Sequence, residues 1–125
     1  MATNDSQLAW SIKNGDLDTV KEIIEHIGQT SNIDIMIDGR RPIHYAADYG
    51  QKEILEYLIQ LGANVNSLDR HGISALLAAI WEGHIECCRL LISNGAKIDG
   101  RTPDGKSYVD AAENVEIKRL LMTTS

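Results

Sequence analysis

Residues Arg40 to Gly50 read "RRPIHYAADYG", and a shadow of this stretch returns 33 residues later as "ISALLAAIWEG" at 73–83. Gly39, Gly72 and Gly105 keep the same spacing of 33, as do Gly50 and Gly83, and the pairs Gly62-Ala63 and Gly95-Ala96. In that register "DGRRPIHYAADYGQKEILEYLIQLGANVN" (38–66) lies over "HGISALLAAIWEGHIECCRLLISNGAKID" (71–99), with small, apolar and glycine positions coinciding almost throughout. A fixed period in this range is the mark of a repeat architecture, in which each unit buries its apolar face only by stacking on its neighbours.

Each unit spells a turn and two short helices. A glycine ends the turn, Pro42 suits a first helical position, and Gly50 suits a helix end. Ala46 and Ala47 put small residues on one side, which permits close helix contact. Ile54, Leu55, Leu58 and Ile59 give the second helix its apolar stripe. The chain ends fit as partial units. "AWSIKNGDLDTVKEII" (9–24) carries the two-helix pattern without a preceding turn. "DGKSYVDAAENVEIKRLLM" (104–122) carries it with the inter-helix turn shortened by three residues. The expected organisation is one domain over 1–125, with repeats at about 8–37, 38–70, 71–103 and 104–122. The first-to-second spacing, Gly15 to Gly50, is 35, so a longer or bulged loop is expected within 25–38.

The period, the helix pair and the phrase from Arg41 to Ala46 resemble the ankyrin repeat, whose signature is T-P-L-H-x-A. The resemblance spans residues 8–122 and implies an all-α solenoid of stacked helix-turn-helix units with hairpin-like turn tips. It departs at Arg41, where threonine usually caps the helix, and at Ser74-Ala75-Leu76-Leu77, which keeps a capping hydroxyl but loses the proline and histidine.

Composition narrows the function. Hydrophobic residues are 43% and charged residues 24%, ordinary for a globular protein. The formal net charge is −6, which disfavours nucleic acid and anionic membranes and suits a basic protein surface. There is no long apolar run, and "MATNDSQLAW" has no leader pattern, so the cytoplasm is expected. Cys87 and Cys88 are adjacent, replace core positions Ile54 and Leu55, and lack metal-ligand spacing; free, packed thiols are expected. His44 belongs to the repeat signature and is expected to bond turn backbone. No nucleophile motif or phosphate loop is present. The expectation is a monomer that is not an enzyme and takes no cofactor, metal or small molecule.

What remains are positions the stack does not use. On the first helices these are Tyr45, Asp48 and Tyr49, then Ala78, Trp81 and Glu82 one repeat on, and Trp10, Lys13 and Asn14 one repeat back. Tyr57 and Tyr108 fall at core positions. Trp and Tyr are the usual anchors of protein interfaces. With Asp38, Asp48, Asp69 and Glu82 beside them, they describe an aromatic and acidic groove for a basic, partly apolar protein surface. His71 stands at a turn tip within reach of such a partner.

"WSIKNGDLDTVK" (10–21), the stretch 40–56 and the third repeat are further similar to one four-repeat branch of the ankyrin family. These are small cytosolic proteins that bind the actin capping protein heterodimer. The resemblance implies sequestration, with the acidic concave side covering the basic patch by which capping protein holds the barbed end. It places the contacts on Trp10, Asp38, Gly39, Tyr45, Asp48, His71, Trp81 and Glu82, with Trp81 where tyrosine is more usual. The alternative it implies is an adaptor for another protein, such as a Rel-type transcription factor.

Overall fold

A computed structural model describes residues 4–27 and 33–124. Eight helices lie among them: α1 (Asn4–Lys13), α2 (Leu17–Ile27), α3 (Pro42–Asp48), α4 (Lys52–Gln60), α5 (Ala75–Glu82), α6 (Ile85–Ser93), α7 (Tyr108–Ala111) and α8 (Val115–Thr123). They form two layers. The first helices pack in the order α1, α3, α5, α7, and the second helices in the order α2, α4, α6, α8. Isolated antiparallel bridges, Ile37 with Arg40, Leu68 with Ser74 and Arg101 with Ser107, make the hairpin-like tips between repeats.

Local chemistry explains the helix starts. The backbone N–H groups of a first turn need acceptors. Ser74 Oγ accepts from Leu77 N at 3.1 Å, and Ser107 Oγ from Asp110 N at 3.1 Å. Asn114 Oδ1 accepts from Glu116 N and Ile117 N at 2.9 and 3.0 Å. Asp16 takes Thr19 N at 3.1 Å and the Thr19 hydroxyl at 2.7 Å, and those bonds hold its carboxyl below the usual range. Arg41 has no hydroxyl to offer. Instead His44 reaches back, its Nδ1 accepting from Arg41 N at 3.0 Å, while Pro42 removes one N–H from the account.

The core is a continuous apolar seam. Ile12, Ile43, Ala46, Ala47, Leu76, Leu77, Ala79 and Ile80 fill the space around the first helices, and Leu55, Leu58, Cys88, Leu91 and Ile117 carry it into the second layer. Each fully buried Leu or Ile contributes on the order of 1.5–3 kcal/mol. Cys87 and Cys88 are buried free thiols, as core packing requires. Burial pushes them up to about 11 and about 12, so both stay protonated and inert at neutral pH.

Polar bonds brace the repeats and tie one to the next. Within the second repeat the His44 Nε2 lies 2.9 Å from Ser67 O, and between repeats the His84 Nε2 lies 3.0 Å from Asp48 O. A buried contact of 2.8 Å joins Ser74 Oγ to the Tyr108 hydroxyl. Asn66 donates to Gly95 O at 3.1 Å and accepts from Lys97 N at 2.8 Å. In the fourth repeat the shortening falls on α7, which keeps only four residues before α8 begins. The two extra residues expected within 25–38 fall partly on 28–32, outside the described residues.

Candidate protein-binding surface

The first helices and the turn tips line one side of the stack. Along it Trp10 is 62% exposed, Tyr49 44% and Trp81 46%. Lone exposed apolar residues are common, but here a large exposed aromatic stands on or at the end of the first helix in each of three successive repeats. Asp38, His71 and Glu82 are exposed around them. Among the described residues, neither Asp38 nor Glu82 is held in a salt bridge.

Three expected site residues sit differently from their sequence reading. Tyr45 is not on the open face: it is 4% exposed, and its hydroxyl donates to Ile37 O at 2.7 Å. The turn before α3 closes over this position, and burial raises the phenol pKa. The matching Ala78 is buried as well. Trp10 occupies the equivalent place in α1, where no such turn precedes it among the described residues, and therefore stands clear. Asp69 is likewise not a free acid. It is 9% exposed, and its Oδ1 accepts from His71 N at 2.8 Å and Ile73 N at 2.9 Å, closing the second turn. Asp48 is half-buried, and its Oδ2 accepts from Arg40 Nη1 at 3.2 Å.

Two cations enter a surface that its composition made acidic. Lys13 Nζ lies 5.3 Å from the Tyr45 ring centroid and 5.9 Å from that of Tyr49. The Arg40 guanidinium lies 4.9 Å from the Tyr45 ring, on which cation–π attraction holds it. Neither was assigned to the site from sequence. Arg40 could not be, because its pairing with Asp48 depends on how the turn folds over α3. The helical position of Lys13 was visible, yet its place over two rings of the next repeat depends on stacking.

At the far end a recess of about 350 Å³ opens beside Trp81, lined by Thr102, Asp104, Lys106, Asp110, Ala111 and Glu113. It lies where α7 lacks the turn that would match Trp81 and Glu82. Among the described residues there is no group of three or more His, Cys, Asp or Glu placed to hold a metal ion. No helix among them is long and apolar enough to cross a membrane.

The family model for ankyrin repeats, in three copies, matches residues 7–102. The chain belongs to the ankyrin-repeat family. Myotrophin of Xenopus tropicalis is 47% identical over 120 residues, covering 94% of this chain and 98% of its own. Synphilin-1 of Mus musculus is 31% identical over 107 residues, 82% of this chain but 11% of that protein. Ankyrin repeat and SAM domain-containing protein 6 of Rattus norvegicus is 30% identical over 117 residues, 89% of this chain and 13% of that protein. The likeness to myotrophin is therefore end to end, whereas the other two match as short parts of much longer chains. Ankyrin repeats are a protein-interaction family, and the exposed aromatics of this ankyrin array sit on the side formed by its first helices and tips.

Proposed function

We propose that this ankyrin array binds the actin capping protein heterodimer and sequesters it from filament barbed ends. The observation that carries the reading is the exposure of Trp10, Tyr49 and Trp81 on the first-helix layer of three successive repeats, together with the exposed acids Asp38 and Glu82, which among the described residues are in no salt bridge. Indole and phenol rings supply rigid apolar contact area, and the acids select a basic surface. The end-to-end likeness to myotrophin supports the same reading, because the sequence resemblance to that branch of the family implies capping protein as partner.

The mechanism is steric and needs no chemical step. Capping protein grips the barbed end through a basic patch; once that patch is covered by the acidic, aromatic face, it cannot reach the filament, and growth continues. Trp10, Tyr49 and Trp81 would supply most of the affinity. Asp38, Gly39, His71 and Glu82 would flank them, while Tyr45, Asp48 and Asp69 act from beneath by shaping the face.

The test is barbed-end actin assembly with a fixed amount of purified capping protein and increasing amounts of this chain. Growth should return in proportion to the chain added, and the return should fade at high salt, because the attraction is between exposed charges. Capping left untouched by a chain shown folded by circular dichroism would overturn the reading.

A further inference from the structure

The three turn tips are held in different ways. In the second, the Asp69 carboxylate gathers the turn amides, and in the third, Thr102 Oγ1 accepts from Lys106 N at 2.9 Å. Both turns are thus pinned by a side chain of their own. The matching residue in the first turn is Met36, which has no oxygen to offer. That turn closes differently: Ile37 and Arg40 exchange backbone bonds at 2.7 and 3.1 Å around Asp38 and Gly39. Both central residues have positive φ, 53° and 82°, the two-residue hairpin geometry that Asp-Gly favours.

The first tip is instead pinned from outside. The Tyr45 hydroxyl, rising from α3, donates to Ile37 O at 2.7 Å. Arg40, on the other side of the tip, is held by Asp48 at 3.2 Å and donates to His44 O at 3.4 Å. The Arg70 N–H, from the second tip, donates to Gly39 O at 3.0 Å. The Tyr45 ring lies against the Arg40 guanidinium, so one buried side chain meets both strands of the turn.

We propose that Tyr45 is a positioning residue: it fixes the first turn tip, and with it Asp38, in the place from which that tip meets a protein partner, without touching the partner itself. This rests on the capping-protein reading above for the identity of the partner. It replaces the contact role that the sequence suggested for Tyr45 with one that its burial permits. A tip pinned by its own side chain would need no such residue.

The substitution that isolates this role is Tyr45→Phe. It deletes one hydroxyl and leaves no orphaned acceptor, since Ile37 O keeps the Arg40 N–H at 3.1 Å. Amide hydrogen exchange is read first. In Tyr45→Phe the Arg40 and Arg70 amides should exchange about fivefold faster, the factor of one net hydrogen bond, with His71 and Ile73 unchanged in the self-pinned second turn. Affinity for purified capping protein is read next, in a cycle with Asp38→Asn, which removes the charge and still suits positive φ. Tyr45→Phe alone should weaken binding about fivefold, and the effect of Asp38→Asn should shrink markedly in the Phe background. Unchanged exchange at Arg40 and Arg70 overturns the proposal, and so do two strictly additive affinity losses. If the unmodified chain does not bind capping protein at all, the capping-protein reading falls, and the exchange alone then upholds or overturns the tether.

Discussion

Gly50 and Gly83 form a matched pair. Each ends the first helix of its repeat, with φ of 68° and 75°. Alanine at either position must take a left-handed conformation, at a cost of about 1 kcal/mol. Their surroundings differ. A Cβ on Gly83 would meet nothing within 4 Å, whereas a Cβ on Gly50 would lie 2.7 Å from both Cε1 and Nδ1 of His84. That ring is held by its 3.0 Å bond to Asp48 O, so it can retreat only by giving the bond up. Losing the bond costs about 1 kcal/mol and the residual crowding roughly another 1 kcal/mol or more. Gly83→Ala should therefore lose about 1 kcal/mol and Gly50→Ala about 3 kcal/mol in urea unfolding, read as a shift of midpoint at constant slope. In Gly50→Ala with His84→Ala the combined loss should fall short of the sum of the single losses, because the ring that causes the clash is gone. Equal losses for the two glycines, or an additive double variant, would refute the claim that His84 packed on Gly50 is a joint between repeats.

Three further outcomes are expected. Trp81→Ala should weaken capping-protein binding by about 2 kcal/mol, on the order of 30-fold in Kd, since the part of the indole now in solvent is roughly 100 Å² that a partner could cover; affinity unchanged in a titration would remove Trp81 from the surface. Burial holds the His44 imidazole below its ordinary value of 6.5. The folded chain therefore takes up its proton later than the unfolded chain, and this group's contribution to stability is full above pH 6.5 and is lost as pH falls toward the lowered pKa; a proton NMR titration of the His44 ring with a midpoint at or above the ordinary value would contradict it. Cys87 and Cys88 should resist a thiol reagent at neutral pH in the folded chain and react once urea unfolds it; fast labelling of the native protein would mean that the second-helix layer opens locally.

The repeat was legible because it rests on spacing. Glycine, alanine and apolar positions recur with the period of the structure, and Ser74 and Ser107 stand where first helices need caps. The shortening of the last repeat was equally visible, and the structure assigns it to α7. The surface was legible only in outline. Trp10, Tyr49 and Trp81 stand clear as the helix positions suggest, but two of the four acids expected beside them, Asp48 and Asp69, are engaged within the fold. For Asp69 a signal existed: Asp69-Arg70-His71-Gly72 and Thr102-Pro103-Asp104-Gly105 are turns in which a side-chain oxygen gathers nearby amides. Asp48 and Tyr45 carried no comparable signal. Arg40 and the first turn claim them only once that turn has closed three residues tighter between its bridged ends than its fellows, with Met36 standing where they have a side-chain acceptor.

The layered contacts also make the array a ruler. Each first helix packs on the first helices of the adjacent repeats, so length is set by the count of repeats and not by a shared centre. Trp10 and Trp81 mark the two ends of a gauge two repeats long, and Tyr49 stands on the repeat between them. Splicing one more copy of residues 38–70 into the middle would keep the stacking order of the first helices while moving the outer marks one division further apart. A partner that reads both tryptophans at once would lose one of them, and a partner that reads only one would not register the change.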